Sequence, residues 1–546
     1  LLPLLALLAA TPVLFPWSQG PIVTALAELW AFAVAGVVAL TLGVLAWRTA
    51  PLQVAAFEEP DGRHSPWPAL LIGTAALAGL ISALIGLMQV LAPQLLNGAL
   101  GDWLEPTHLA GRAVGHLRQP NHLATVLLWG AVAWAALHAQ GRMGMAGAAA
   151  GLGLLMTALV LTGSRTGLLG ISLLVIWAVV DRHLPKPTRV HLALTPVLAS
   201  LGWWAAEHYS RVQGLAFGAS AHLQATAGGD VSSSRFAIWR NTWSLIEQQP
   251  WTGVGWGNFN IAWTLSPMSG RPPAFFDHAH NLPLHLLAEW GFPLGGAACL
   301  VTVAVLALAA RRAWAALPLS MGPQPRERKE DALCRRGALV MLGIVGLHSL
   351  LEYPLWYAYL GLPAALALLV CLGWDRPRRR VARWPALLCI VTGAAMLVGA
   401  AWAYRDYQTV RAIYEPQAGS GSLRDRIASG LRTTWFTDHA HYALATTVKP
   451  IPNQPWTATM TLAFERAPHV LLDPRLMMAW ADALASRSGP DDRDRARHIA
   501  ARLREFNSPS AANWLKACDD PESAPSQRFV CEAPERSWNW RDFGLR

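Results

Sequence analysis

The sequence FFDHAHNLPLHLLAEWGFPLGG at 275–296 changes character halfway along. Its first part gathers Asp277, His278, His280, Asn281 and His285; Glu289 follows, and the second part opens an apolar run. That run continues to about residue 310, the length of a bilayer-spanning helix. Ionisable groups at membrane depth are costly, so those at the mouth of such a run are functional candidates by default. The stretch therefore predicts a membrane helix with a reactive site at its surface.

The rest of the chain fits that reading. It has 546 residues, 53% of them hydrophobic and 14% charged, with a mean hydropathy of +0.29. Apolar runs near bilayer length fall at 1–16, 24–47, 68–92, 121–138, 144–162, 167–180, 190–206, 281–310, 337–351, 356–373 and 384–404. They predict an all-α integral membrane protein with about eleven transmembrane helices. The 27 tryptophans suit the interfacial belts where amphipathic rings meet headgroups. A charge of +10 would suit a polyanion, but the basic residues are dispersed between apolar runs. Nucleic acid is excluded as a partner on that ground. Residues 1–14 lack a basic flank and read as a first membrane helix whose true start can lie upstream, not as a cleaved signal.

Orientation follows from the Lys/Arg bias of short loops. Arg48 with Arg63, Arg142, Arg182 with Lys186 and Arg189, then 311–336 and 376–383 mark alternate loops. That side is the cytoplasm. The loops 93–120, 163–166, 207–280 and 352–355 and the tail after Tyr404 then lie outside, in the periplasm of a bacterium. The expected organisation is a polytopic membrane catalytic domain over 1–404, with a large periplasmic loop at 207–280, and a soluble helical C-terminal domain over 405–546. In the tail, Asp473-Pro474 has the form of an N-cap with proline at the first helical position. Ala496, Ile499, Leu503 and Phe506 recur at helical spacing. Breaks are expected at 419–422 and 450–455. Cys518 and Cys531 share the outside tail, where they could pair in an oxidising compartment or stand as free thiols.

Chemistry begins with His280. If a helix starts near Asn281, His280 stands at its mouth, where backbone N–H groups lack partners and the helix dipole is positive. That end suits a neutral general-base imidazole and equally a phosphate; a structural capping histidine explains the local pattern as well. Arginines on the outer side favour chemistry. Arg165 lies in TGSRTG at 162–167, between two apolar runs and against the orientation rule. Arg235 and Arg240 lie on an expected helix over 234–249, with Phe236, Trp239, Trp243 and Ile246 as its apolar face. Guanidinium forks match phosphate oxygens in pairs and keep their charge. Arg112 and Arg271 read instead as headgroup contacts or local ion pairs. In GRAVGHLRQPNHL at 111–123, Gln119, Asn121 and His122 could contact sugar or phosphate, or cap a helix. GVGWG at 253–257 reads as a turn. His278 and His280 lack a third ligand at a convincing spacing for zinc, and Asp492 and Asp494 read as a solvated helix face. EYPLWY at 352–357, with Tyr353 and Tyr357, is either interfacial packing or a docking surface.

One base and two arginines without an acid suit transfer from a lipid diphosphate to an alcohol. The leaving diphosphate needs its charge neutralised and no proton, whereas the acceptor hydroxyl must lose one.

These residues resemble a known family. His280-Asn281 followed nine residues later by Gly291, the Ser164-Arg165 turn, the Arg235 helix and GVGWGN at 253–258 are similar to the bacterial O-antigen ligase and polymerase superfamily. QPNHLA at 119–124 and EYPLWY at 352–357 resemble its protein O-oligosaccharyltransferase (PglL type) branch. The resemblance implies a GT-C-type glycosyltransferase of the bacterial inner membrane with its active site facing the periplasm. It implies an undecaprenyl-diphosphate oligosaccharide as donor and Ser/Thr of a protein such as pilin as acceptor. Direct displacement would invert the anomeric carbon, without metal or other cofactor. His280 would correspond to the essential histidine, and Arg165 and Arg235 would hold the diphosphate. Gln119, Asn121, His122, Arg240, Asn281, Glu289, Tyr353 and Tyr357 are further candidate contacts. One departure is Leu294, where the family often has a small residue; Gly295 and Gly296 lie just beyond, as in a slipped helix contact. Two rival functions follow: an O-antigen ligase with lipid A-core as acceptor, and a lipid-linked glycan transporter.

Overall fold

The computed structural model describes residues 1–15, 20–22, 24–49, 66–96, 111–227, 230–272, 274–315, 326–373, 384–448, 456–487, 489–518 and 528–543. The basic positions Arg63 and 376–383, and the expected break at 450–455, lie outside them. Among the described residues every regular element is helical. Among the described residues six helices are long and apolar enough to cross a membrane: Ala25–Arg48, Pro66–Leu91, Pro120–Ala139, Leu282–Ala315, Arg328–Ser349 and Trp384–Tyr414. Leu2–Leu14, Met145–Leu161, Arg165–Val180 and Ala358–Leu372 are shorter apolar helices. The remaining expected span, 190–206, falls on Lys186–Ala193 and Thr195–Gln213, and Glu207 and Arg211 make the end of the second polar. The chain is thus a multi-pass membrane protein, all-helical among its described residues.

It divides into two compact units. The first comprises 1–19, 24–230 and 302–401. Lipid tails are as apolar as leucine, so its helices associate through close packing and hydrogen bonds instead of hydrophobic drive. Pro66–Leu91 and Pro120–Ala139 cross at paired glycines: a Cβ on Gly79 would stand 2.6 Å from the Gly130 Cα. Buried Leu123, Leu127, Trp129, Leu155 and Met341 fill the centre. The loops collect at two ends of this bundle. At the start of Pro120–Ala139, Ser164 Oγ donates to Asn121 Oδ1 at 2.6 Å and Asn121 Nδ2 to Glu352 Oε1 at 3.3 Å. At its other end, His138 Nδ1 lies 2.8 Å from Thr188 Oγ1, and Gln140 Nε2 donates to Cys334 Sγ at 3.1 Å. Nearby, Arg142 pairs with Glu330 at 2.9 Å and the buried Arg336 with the buried Asp181 at 2.7 Å. Among the described residues, the loops at 163–166 and 352–355 thus meet at one end of the bundle, and those around Arg142, 181–189 and 330–336 at the other.

The second unit comprises 20–23, 231–301 and 402–546. One core unites the segment before the 282 helix with the tail: Ile238, Leu245, Phe259 and Trp263 pack with Leu476, Met477, Trp480, Ile499 and Leu503. Each such buried side chain contributes about 1.5–3 kcal/mol. Asp473 caps Pro474–Ala485 through the Leu476 N–H at 2.9 Å. Cys518 and Cys531 form a disulfide.

Two expectations fail here. Asp492 and Asp494 are each only 6% exposed, not a solvated face. Asp492 pairs with Arg487 at 2.9 Å, and Asp494 receives the Trp538 indole N–H at 2.7 Å and the Glu535 N–H at 2.7 Å. The second fails in part: on helix Asp230–Gln248 the expected Ile246 is buried and Trp239 packs against the core, beside Ile238, Thr242 and Leu245. Phe236 and Trp243 lie on the other side, 67% and 43% exposed. Helical spacing identified a face of aromatics, but aromatics also suit a membrane interface, so spacing alone did not say which face is buried.

Candidate active site

The candidate residues fall into two sets, one in each unit. In the first unit, Gln119 caps Pro120–Ala139, its Oε1 accepting the N–H groups of Asn121 and His122. Proline at the next position suits this start, where no intrahelical partner for its missing N–H exists. Asn121 then links Ser164 to Glu352. Ser164 in turn caps Arg165–Val180 by accepting the Gly167 N–H at 3.0 Å. Arg165 opens that helix, with Nη2 buried and making no hydrogen bond among the described residues. Behind it, His122 Nδ1 stands 2.7 Å from the Tyr359 hydroxyl, with its ring 4.5 Å from Tyr357. Tyr353 stacks on Tyr357 at 6.2 Å. Thr125 and the fully buried His348 meet at 2.8 Å. Arg112 donates twice to the Thr162 carbonyl, at 2.8 and 3.0 Å, and so fixes the turn that carries Arg165.

In the second unit, Asn281 caps the lipid-compatible helix Leu282–Ala315: its Oδ1 accepts the Leu284 N–H at 3.0 Å and its carbonyl the His285 N–H at 2.9 Å. His280 precedes the cap with φ 50°, a left-handed conformation uncommon outside glycine. Its half-buried ring stands edge-on to Phe276 at 5.4 Å. Asp277 lies 2.9 Å from His278. Burial raises the Asp277 carboxyl, but the neighbouring histidines outweigh it and the net shift is downward. His278 stacks on His285 at 5.0 Å, and His285 Nε2 is 3.8 Å from Glu289. Glu289 is buried and accepts the N–H of Gly257 at 2.9 Å and of Phe259 at 3.4 Å.

Directly after Glu289 the helix breaks. Gly291 has φ 68° and ψ 178°, a conformation essentially reserved for glycine. The break leaves carbonyls free, and the 250–257 turn uses them: Val254 and Gly255 N–H groups reach Ala288 and Glu289 carbonyls at 2.8 and 2.9 Å, while Phe292 N–H reaches Pro250 at 2.7 Å. The Leu294 departure also resolves. Leu294 is 60% exposed, and the close approach falls at Gly295, where a Cβ would stand 2.5 Å from the Leu286 carbonyl oxygen.

Arg235 is half-buried and Arg240 exposed on Asp230–Gln248. Arg271 is a structural residue: it pairs with Glu505 at 2.9 Å and lies 4.3 Å from the Phe506 ring. Sequence reasoning missed Thr125 and His348, since neither stands in a motif. It saw Ser164, Glu352 and Tyr359 without their partners, which lie 43, 231 and 237 residues away.

The O-antigen ligase family model matches residues 150–299. That for the C-terminal part of a virulence factor membrane-bound polymerase matches 337–517, and that for a protein glycosylation ligase matches 113–138. A general O-oligosaccharyltransferase from Acinetobacter baylyi is 28% identical over 263 residues, 46% of this chain and 42% of that relative. The chain thus aligns with less than half the length of the curated relative it matches. The matched segments carry both sets of polar residues described above, and over them the chain is similar to O-antigen ligases and to protein glycosylation ligases.

Proposed function

We propose that this protein transfers an oligosaccharide en bloc from undecaprenyl diphosphate to Ser/Thr hydroxyls of periplasmic proteins such as pilins. The observation that carries this is His280: an imidazole one residue outside a capped, lipid-compatible helix, within the segment matched by O-antigen ligases. The acceptor oxygen attacks the anomeric carbon, the bond from that carbon to the diphosphate oxygen breaks, and His280 takes the hydroxyl proton. The lipid diphosphate leaves with its charge held by Arg165 and Arg235, so no acid is required. Attack opposite the leaving group inverts the anomeric centre. Gln119, Asn121, His122, Tyr353, Tyr357 and Arg240 are further donor or acceptor contacts in this reading. Asn281 and Glu289, whose oxygens are engaged by backbone N–H groups, hold the start of the helix in place.

The accompanying architecture is an eleven-span GT-C-type enzyme of the inner membrane. Residues 1–404 form its catalytic part, and 405–546 a periplasmic C-terminal region. The Cys518–Cys531 disulfide supports an oxidising compartment for that region.

The test is transfer in proteoliposomes with lipid-linked donor and acceptor protein on one face. His280→Ala is expected to cost about 100-fold or more, the usual worth of a general base. Unchanged turnover in a correctly inserted variant sinks the base assignment. Accumulation of product on neither protein nor lipid, with donor moved across the bilayer, would mark a transporter. The match to O-antigen ligases over 150–299 supports a second acceptor, lipid A-core; mass spectrometry of periplasmic proteins and of lipid A-core from the same cells separates the two.

A further inference from the structure

Within the first unit, a cavity of about 320 Å³ lies among five helices: Leu2–Leu14, Ala25–Thr49, Pro66–Leu91, Ala358–Leu372 and Trp384–Tyr414. Its wall is apolar but for Thr74, the Tyr359 hydroxyl, Thr392 and the Cys389 thiol. On Ala25–Thr49 the wall is made by small residues, Ala31, Ala35 and Ala39 with Val34 and Val38, which keep the space open. Along Ala358–Leu372 the wall runs from Ala358 to Val370, about 18 Å at the helical rise of 1.5 Å per residue. That length is close to one leaflet of a hydrocarbon core about 30 Å thick.

One end of the cavity is polar in a particular way. Tyr359 is a wall residue, and its hydroxyl meets His122 at 2.7 Å. His122 adjoins Asn121, which receives the Ser164 hydroxyl, and Arg165 follows with its unbonded, buried Nη2. Ala358, also on the wall, donates its N–H to Glu28. An apolar slot of leaflet depth therefore ends beside the helix starts that carry the first unit's polar candidates. A phospholipid needs room for two acyl chains, whereas a single long chain fits one slot of this kind.

From this continuity we propose that the cavity is the seat of the isoprenoid chain of the lipid diphosphate. Its single unbranched-backbone chain lies between Ala31–Ala39 and Ala358–Val370, and its diphosphate emerges at the Asn121–Ser164–Arg165 end. The proposal rests on the proposed function for the identity of the donor, but lipid occupancy is measurable without turnover.

Two experiments test it. The first is photo-crosslinking of the full chain in nanodiscs with a polyprenyl diphosphate carrying a photoreactive group in its chain, against a phosphatidylethanolamine labelled in its acyl chain. Crosslinks of the polyprenyl probe within 31–39 and 358–370 are expected, and competition by unlabelled phospholipid is not. Labelling of these segments by the phospholipid probe alone would overturn the proposal and make the slot a structural lipid site. The second experiment fills the slot with Ala35→Phe and, separately, Ala365→Leu. The expected result is at least ~10-fold loss of apparent affinity for the full-length lipid donor, with a donor of two isoprene units turned over as by the parent protein. Equal loss for both donors would overturn the chain site, and so would no loss for either. If no donor of any length is turned over by the parent protein, the proposed function falls, and the crosslinks still decide the slot.

Discussion

Glu289 accepts the backbone N–H of Gly257 at 2.9 Å, across 32 residues of sequence. A carboxylate on the lipid-compatible helix thus holds the glycine turn that grips the same helix at its break. Replacing Glu289 by Ala strands the N–H groups of Gly257 and Phe259. The expected cost is about 2 kcal/mol for loss of charged hydrogen bonds, read as a lower unfolding temperature in detergent. Glu289→Gln keeps one carbonyl acceptor and is expected to fall between the two. Equal stability of all three forms would remove the clamp.

Gly291→Ala tests the break itself. A Cβ there would meet the Trp251 carbonyl oxygen at 2.5 Å, with φ 68° and ψ 178° forced on alanine. Strain of this kind costs about 1–3 kcal/mol before the clash is counted. Folded yield and thermal midpoint should both drop, while Gly296→Ala, in open space, should be silent.

Asn121 and Ser164 should behave as a coupled pair. Ser164→Ala removes both a helix cap and the hydroxyl bonded to Asn121, about 1 kcal/mol for the cap alone. A double-mutant cycle with Asn121→Ala is expected to give a coupling of about 0.5–3 kcal/mol. Additive losses would show that the two side chains act independently.

Arg165→Lys separates charge from geometry. A lysine keeps the positive charge but cannot present a fork. The expected outcome is a rise of about tenfold in the KM for the lipid donor, equivalent to ~1.4 kcal/mol, with insertion unaffected. Donor affinity equal to that of the parent protein would argue against a diphosphate contact.

The tail should carry an acid-sensitive histidine. Burial lowers His498 to about 4, and its Nε2 sits 2.7 Å from the Leu265 carbonyl. Unfolded histidine titrates near 6.5, so the unfolded chain binds the extra proton between those values. Stability from this group is therefore full above about pH 6.5, falls as the pH drops towards 4, and levels off below. The span corresponds to a contribution on the order of 3 kcal/mol. Unfolding midpoints from pH 7 to 4 should show the decline, and His498→Gln should flatten it.

Local rules were enough for some features. The apolar runs became helices because chain length and hydropathy leave few other choices in a bilayer. Asn281, Asp473 and the 253–257 turn were readable because capping and turn chemistry act over three or four residues. The ion pair that holds Arg271 was also anticipated in kind, though not its partner Glu505. The exposed Phe236 and Trp243 and the buried Asp492 and Asp494 were misread for one reason. Whether a helix face meets solvent, lipid or protein is set by what packs against it, and the helix's own spacing does not contain that.

By itself the sequence determined a many-helix membrane chain, the position of His280 at the mouth of an apolar helix, and a family resemblance spread over distant motifs. Only the tertiary structure decided that 231–301 shares a core with 402–546, that Asn121 joins Ser164 to Glu352, and that the helix break at Gly291 is gripped by the 250–257 turn. Propensity and capping act along the chain. Core sharing and side-chain partnership depend on surfaces that meet only after the chain has folded.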